Sequence, residues 1–228
     1  MVQIKKAIAN RKNFGGARSL KNIKYLVIHY TGNDGDRDES NGRYFQNHIV
    51  GASAHFFVDG DSITQSVPDD HVAWSVGGKK YPGTKGGKWY GKCTNNNSIS
   101  IELCDEVKNG RYDFSEATLK NAADLTRMLM QKYNIPIDNV IRHYDVVGKI
   151  CPAPFVNDEA AWKAFKARLK EDDEVVEKAT FWVEGKPIDM NRILSDGTNF
   201  IKLREIADAL GYDVTVKGKQ VHLTKKKG

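Results

Sequence analysis

Three residues that are distant in the sequence carry side chains that bind transition metals: His29, His143 and Cys151. His143 and Cys151 lie eight positions apart in a segment that contains Gly148, and both can point at one cation if this segment doubles back. His29 follows the apolar run 25–28 and adds a second nitrogen ligand. A zinc ion held by three protein groups keeps its fourth position for water, which is typical of catalytic zinc sites. The pattern therefore predicts a zinc hydrolase.

The segments around these residues are predicted to alternate between strands and helices. Largely apolar runs bounded by turn residues indicate strands at 25–30, 54–58 and 62–67, and alternation of polar and apolar residues indicates a strand at 98–103. The second and third of these form a hairpin, because Asp59-Gly60 supplies the positive φ angles that a tight turn needs. Apolar residues at helical spacing predict helices over 38–50, 115–133 and 158–169. The N-cap of the first helix is predicted to be Asp38 or Ser40. Strands interleaved with helices favour an α/β fold with a central sheet flanked by helices.

The segment 68–97 is long, rich in glycine and without a clear period. An irregular segment that carries exposed rings more often forms the wall of a binding site than a simple connection. We therefore expect this segment to border the site and to expose the rings of Trp74, Tyr81, Trp89 and Tyr90.

The net charge of the chain does not identify its binding partner. Lys and Arg number 35 against 29 Asp and Glu, which gives a net charge of +6. This modest excess could favour nucleic acid, a membrane surface or the teichoic acids of a cell wall. The basic start of the chain lacks the apolar core of a secretory signal, and no run approaches the ~18 apolar residues that span a membrane. We expect a chain made in the cytoplasm without a signal peptide and without stable membrane insertion.

The chain contains three cysteines, an odd number in a protein too large to depend on a disulfide framework. A reducing compartment, with at least one thiol used for chemistry, is the simpler interpretation. Cys93 and Cys104 have no matching ligand partner, and we interpret them as spare thiols.

An acidic run at 171–174 suggests a boundary between two domains. We predict a catalytic domain over 1–170, a linker over 171–178 and a small α+β domain over 179–228. The small domain is expected to contain a strand and turn at 180–187, a helix at 200–210 and a hairpin at 213–224 that turns at 217–219. About 50 residues bury only a small core, so pairing with itself or with a partner is expected.

Four segments together resemble a known family. They are Val27-Ile28-His29-Tyr30-Thr31, Ala52-Ser53-Ala54-His55-Phe56, Ser98-Ile99-Ser100-Ile101-Glu102 and 143–152, which ends in Gly148-Lys149-Ile150-Cys151-Pro152. The resemblance is to the zinc-dependent N-acetylmuramoyl-L-alanine amidases of the type-2 amidase and peptidoglycan-recognition superfamily, and especially to bacteriophage endolysins. It extends over about residues 23–169. It implies a mixed sheet flanked by helices, a zinc cleft on one face, and His29, His143 and Cys151 as metal ligands.

Chemistry assigns further roles within this resemblance. Glu102 suits a general base that takes a proton from water and passes it to the leaving amine, and Lys149 places positive charge beside the developing oxyanion. A solvent-facing glutamate and an ordinary loop lysine remain the alternatives. Some relatives have a tyrosine before the histidine that corresponds to His55, whereas this chain has Ala54, which favours Glu102 as the base.

Four further residues complete the predicted site. Tyr30 is expected to support the ligands. His55 is expected either to support them or to have a structural role, and neither residue is expected to bind the metal itself. The segment that contains His71 and Trp74 resembles a loop forming one wall of the family's cleft, where both would contact substrate. Packing of the Trp74 ring within its own loop is the alternative interpretation.

The resemblance implies an endolysin that cuts the amide bond between N-acetylmuramic acid and L-alanine of the stem peptide, released to the wall during phage lysis. Peptidoglycan is then the partner, and nucleic acid is not. A non-catalytic peptidoglycan-binding protein is the first alternative, although binding-only members commonly lack the cysteine that stands here at Cys151. A cysteine peptidase that uses Cys151 and His143 is the second.

The C-terminal region has a resemblance of its own. Residues 185–188, 196–207 and 209–214 are similar to the small repeat domain named after the N-terminal region of copper amine oxidases. No copper ligand set is recognisable. The resemblance implies a role in attachment to anionic wall polymers or in self-association as a homodimer.

Overall fold

The structure is a computed structural model that describes residues 3–170, 176–195, 198–217 and 220–226. The chain divides into two compact units, residues 1–171 and 172–228. The acidic run at 171–174 and the turn residues Gly218-Lys219, both singled out in the sequence, lie outside the described residues.

A six-stranded mixed sheet forms the centre of the first unit. Its order is β1 (Ile4–Lys6), β5 (Ile63–Gln65), β4 (Phe56–Val58), β7 (Ser98–Leu103), β3 (Tyr25–Tyr30) and β10 (Val140–Arg142). Neighbouring strands are parallel except for β4 and β5, which form the predicted antiparallel hairpin. The positive φ angles predicted at Asp59 and Gly60 are absent, because Asp59 Oδ1 instead closes the turn by accepting hydrogen bonds from the backbone N–H groups of Asp61 and Ser62. The predicted α/β fold with a central mixed sheet is confirmed.

The strands place alternate side chains on opposite faces of the sheet. On one face Ile99, Ile101 and Leu103 of β7 belong to the main apolar core, together with Leu26 and Ile28 of β3. The long helix α2 (Glu116–Tyr133) packs on this face, and α5 (Glu159–Arg168) packs against α2. The polar residues of β7 therefore face the opposite side.

Helix α1 (Asp38–Asn47) covers part of the second face, over β4 and β5. The prediction that Asp38 or Ser40 caps this helix is wrong, because α1 begins at Asp38 and Arg37 is its N-cap residue. The buried Asp38 carboxylate instead accepts hydrogen bonds from Thr64 Oγ1 at 2.6 Å and Ser62 Oγ at 3.0 Å. This side chain joins α1 to the sheet.

Short elements surround the sheet, and the sequence patterns did not predict them. They are β2 (Phe14–Ala17) paired with β6 (His71–Ala73), the hairpin of β8 (Glu106–Lys108) and β9 (Arg111–Asp113), and the helices α3 (Tyr144–Val147) and α4 (Ala153–Asn157). No helix among the described residues combines the length and apolar character needed to cross a membrane.

The second unit is a small α+β arrangement, as predicted. Its antiparallel sheet contains β11 (Val176–Val183), β12 (Lys186–Ser195) and β13 (Thr198–Ile201), followed by α6 (Leu203–Ala209) and the hairpin of β14 (Tyr212–Lys217) and β15 (Gln220–Lys225). The predicted helix at 200–210 is shorter, since Phe200 belongs to β13.

Candidate metal centre

The three predicted ligands converge on the sheet face opposite α2. One ligand atom from each of His29, His143 and Cys151 can be chosen so that all three lie within 4.8 Å of one another. Cys151 Sγ is 3.7 Å from His29 Nδ1, and the two imidazole centroids are 4.6 Å apart. This convergence follows from the parallel pairing of β3 with β10, in which Ile28 lies opposite Arg142. His29 follows Ile28 within β3 and His143 follows Arg142 at the end of β10, so the pairing brings the two histidines together.

The segment after β10 doubles back to bring Cys151 towards His143. The backbone N–H of Tyr144 donates to the carbonyl oxygen of Cys151 at 2.8 Å. Gly148 has a φ of 83°, and a Cβ at this position would lie 2.6 Å from Thr84 Oγ1. Only glycine adopts this conformation without strain and leaves room for Thr84.

The protonation states of the three side chains suit a metal ion. Burial lowers the pKa of His143 to about 4 and that of His29 well below its usual value, so both rings are neutral. Burial raises the pKa of the Cys151 thiol to about 12, so a thiolate here needs a cation beside it. Among the described residues His143 Nδ1 and His29 Nε2 are buried without a hydrogen-bond partner. Two neutral imidazoles and one thiol are a donor set that fits zinc.

Glu102 lies directly beside the three predicted ligands. Its position on β7 is opposite His29 on β3, and Oε1 is 3.7 Å from His29 Nδ1. Only 19% of its side chain is exposed. Burial raises the pKa of Glu102 to about 8, and the positive charge of Lys149 opposes this shift. The structure thus brings a half-buried carboxyl group to the predicted ligands from a different strand.

Lys149 is exposed at the rim of this group. Its positive charge lowers the pKa values of nearby groups, and burial is the larger effect at each of them. At His29 and His143 the charge adds to the effect of burial, and at Cys151 and Glu102 it opposes that effect. A cation at this place acts electrostatically on every side chain of the centre.

Tyr30 and His55 occupy different environments. The backbone N–H of Tyr30 hydrogen-bonds to Cys151 and favours its thiolate, which lowers the pKa of the thiol against the larger effect of burial. His55 is fully buried, accepts the backbone N–H of Ser100 at Nδ1 and has Arg18 Nη2 at 2.8 Å from Nε2. Its hydrogen bonds join neighbouring loops and strands and do not include the three ligands.

The predicted wall residues lie on or beside β6. His71 is half-buried, with Nδ1 2.8 Å from Asp70 Oδ1, and 38% of Trp74 is exposed. The rings of Tyr81 and Tyr90 are also exposed, as expected. Trp89 differs from the expectation, because it is half-buried and packs edge-on against Tyr25 at 5.3 Å.

Sequence reasoning missed two groups that hold the centre. The carbonyl oxygen of Val76 lies 3.1 Å from His143 Nε2. The buried guanidinium of Arg142 donates to both carboxylate oxygens of Asp145, to Glu159 and to the carbonyl oxygen of Phe155. The spacing of Arg142 and Asp145 around His143 was a possible signal for the second group, whereas a backbone carbonyl leaves no signal in a sequence.

The family model described as N-acetylmuramoyl-L-alanine amidase (Amidase_2) matches residues 19–154, more than half of the chain. The chain belongs to this amidase family. It is 35% identical over 157 residues to the N-acetylmuramoyl-L-alanine amidase BlyA of Bacillus subtilis, a match that covers 66% of this chain and 42% of BlyA. It is 30% identical over 206 residues to the amidase CwlL of Bacillus licheniformis, covering 84% of this chain and 53% of CwlL.

Solved structures show the same fold for the first unit of this amidase-family chain. The catalytic domain of XlyA superimposes with a TM-score of 0.58 at 29% identity, covering 74% of this chain and 99% of that domain. The chain spans about half the length of the first curated relatives that it matches. The shared part is therefore centred on the unit that holds the candidate metal centre.

Proposed function

We propose that this chain is a zinc-dependent peptidoglycan hydrolase that cuts the amide bond between N-acetylmuramic acid and L-alanine of the stem peptide. The observation that carries this proposal is the approach of His29, His143 and Cys151 within 4.8 Å, beside the half-buried Glu102, in a chain of the amidase family. Amide hydrolysis needs an activated water, a proton carrier and a positive charge near the carbonyl oxygen. Candidates for all three are present around this centre.

In the proposed reaction His29, His143 and Cys151 would hold a zinc ion, which would supply Lewis acidity and lower the pKa of a bound water. Glu102 takes the proton of the attacking water and passes it to the nitrogen of the leaving L-alanine. The charge of Lys149 stabilises the carbonyl oxygen as it becomes negative. The hydrogen bond to Val76 holds His143 in one orientation during these steps.

Access to the centre is proposed to run along its exposed rim. Trp74 presents an exposed aromatic face on the segment that also supplies the Val76 carbonyl. Such a face suits the C–H surface of a sugar ring or of a stem peptide. We assign Trp74 and His71 to substrate binding.

We further propose that the chain acts on the wall as an endolysin and that its second unit attaches to wall polymers or to a second copy. Among the described side chains of this unit, only Met190 and Ala207 are buried hydrophobic residues. Trp182 is 73% exposed and Phe200 is 55% exposed, which supports a contact surface for a partner. The similarity to small wall-associated repeat domains supports the same role.

Two other functions make different predictions. A non-catalytic peptidoglycan-binding protein would need neither Cys151 nor a half-buried Glu102 beside it. A cysteine peptidase would need a nucleophilic thiolate at Cys151, whereas burial raises the pKa of this thiol to about 12. Both observations favour the metal-dependent hydrolase.

Purified bacterial walls provide the decisive test. The full chain should clear a wall suspension, lose this activity after chelation and regain it with zinc. Hydrolysis should release L-alanine amino groups without new reducing sugar ends. Clearing that survives complete zinc removal would contradict the metal-dependent reaction, and binding to walls without new amino groups would identify a binding protein instead.

A further inference from the structure

The segment that borders the candidate metal centre carries most of the net charge of the chain. Between Asp70 and Glu102 there are five lysines and no Asp, Glu or Arg, a charge of +5 against +6 for the whole sequence. All five are exposed. We name residues 77–92 the lysine loop, with its cations at Lys79, Lys80, Lys85, Lys88 and Lys92.

The charges of the lysine loop are not neutralised by neighbouring acids. No ion pair to any of these five lysines occurs among the described residues. Three of them lie over aromatic rings instead, with Lys80 Nζ 5.1 Å from the centroid of Tyr90 and Lys88 Nζ 5.2 Å from that of Trp89. Aromatic faces orient the amines without neutralising them. The positive potential is therefore available to an anionic ligand.

Backbone hydrogen bonds attach this loop to α3, between the two ligands His143 and Cys151. Tyr81 N donates to Val147 O at 2.8 Å, and Gly87 N donates to Val146 O at 2.9 Å. A Cβ on Gly87 would collide with the carbonyl oxygen of Asp145, so glycine permits this close approach. The cations consequently have a defined place beside the centre and do not belong to a free tail.

We propose that the lysine loop binds a linear phosphodiester polymer of the cell wall, built from polyol or sugar phosphates. A repeating polyanion matches five cations within fourteen residues better than the separated carboxylates of a stem peptide do. Lysine amines suit phosphates because they act as point charges and need no planar partner. The exposed rings of Tyr81 and Tyr90 offer apolar faces to the carbon backbone of such a polymer.

This inference depends on the proposed function in one respect: action at the wall favours a wall polymer over nucleic acid as the polyanion. Binding along the loop would hold the first unit on the wall surface with its metal centre close to neighbouring glycan. The second unit is not required for this contact. Retention and hydrolysis are thus separate properties of the same unit and can be measured separately.

Titration of the full chain with poly(glycerol phosphate), followed by calorimetry, tests the proposal. The variant carries Lys79→Gln, Lys80→Gln, Lys85→Gln and Lys88→Gln, and the matched control carries the same change at the exposed lysines Lys12, Lys21, Lys163 and Lys170. The loop variant should bind at least about tenfold more weakly at low salt and show a smaller dependence on salt concentration, as expected when phosphate contacts are lost. The control should bind like the wild type.

Two comparisons can overturn the inference. Equal losses in the loop variant and the control would show that net charge and not the loop determines binding. Equal affinity for poly-L-glutamate or single-stranded DNA of matched charge would refute a preference for wall phosphodiesters. Because poly(glycerol phosphate) contains no amide bond, these outcomes are independent of whether the chain hydrolyses peptidoglycan. The loop variant should still cut a soluble muropeptide at the wild-type rate. If thermal unfolding shows a folding defect in this variant, two variants that each carry two of the four lysine changes replace it.

Discussion

The Nε2 atom of His143 lies 3.1 Å from the carbonyl oxygen of Val76, a residue 67 positions earlier in the chain. Because a neutral imidazole carries one N–H, this contact assigns the proton to Nε2 and leaves the lone pair of Nδ1 for a metal. Nδ1 is buried and has no partner among the described residues. A single backbone carbonyl therefore determines which nitrogen of this predicted ligand is available.

Glu102→Gln should lower the rate of amide hydrolysis by roughly 10²–10⁴-fold, the usual contribution of a general base. The amide keeps the shape of the side chain but cannot take a proton from water. Zinc content, measured by mass spectrometry of the metal, should stay at the wild-type level. Glu106→Gln, at a half-buried glutamate paired with Lys108, is the control and should retain activity. Full activity of Glu102→Gln would mean that another group is the base.

Cys151→Ser should abolish stable zinc binding. A hydroxyl is a much weaker ligand than a thiolate, and we expect a loss of affinity larger than the ~10–100-fold that accompanies loss of an outer hydrogen-bonding partner. Competition with a chromophoric chelator measures this change. Cys93→Ala, at another buried thiol, should leave zinc affinity unchanged. Unaltered affinity in the Cys151 variant would remove this residue from the ligand set.

Lys149→Met should reduce kcat by roughly tenfold, less than the loss of a buried oxyanion donor, because this lysine is exposed and partly screened by solvent. KM should change little, since the charge acts mainly on the transition state. Steady-state hydrolysis of a soluble muropeptide gives both constants, with Lys170→Met as the comparison. A change confined to KM would assign Lys149 to substrate binding.

Gly87→Ala should destabilise the first unit by about 1–3 kcal/mol, the usual cost of forcing extra atoms into a packed site. The new Cβ meets the carbonyl oxygen of Asp145, so either the lysine loop or α3 must move. Gly78→Ala is the matched control, because a Cβ there has nothing within 4 Å. Thermal unfolding separates the two variants, and equal melting temperatures would show that the loop is not held against α3.

Arg142→Met should lower the stability of the first unit by about 2–3 kcal/mol, since the half-buried carboxylate of Asp145 and the buried carbonyl oxygen of Phe155 lose their charged hydrogen-bond donor. The expected fall in melting temperature is roughly 5–10 °C. Arg43→Met is the control, because its exposed pair with Glu39 within α1 should contribute less than ~0.5 kcal/mol. Similar melting temperatures for both variants would disprove the role assigned to Arg142.

Elements with a strong local pattern were predictable from the sequence. The strand at 25–30 and the strand at 98–103 have the predicted bounds, and the helix predicted at 115–133 begins one residue later, after its cap Ser115. Burial leaves a pattern in the residue types of each segment. Burial of one face gives an alternation or a helical spacing of apolar residues, and burial of the whole segment gives a continuous apolar run. Strands of three residues, such as β6 and β10, are too short to show a period, and their pairing comes from distant partners.

Residue types show which groups were available for chemistry: two imidazoles, a thiol, a carboxyl group and an amine in segments typical of one family. The arrangement of these groups comes from the fold. Parallel pairing of β3 with β7 and β10 put Glu102 and His143 beside His29, and the contact with Val76 oriented His143. Attachment of the lysine loop to α3 likewise depends on hydrogen bonds between backbone groups, which every residue type carries. Such contacts leave no trace in residue identity, and so only the folded chain reveals them.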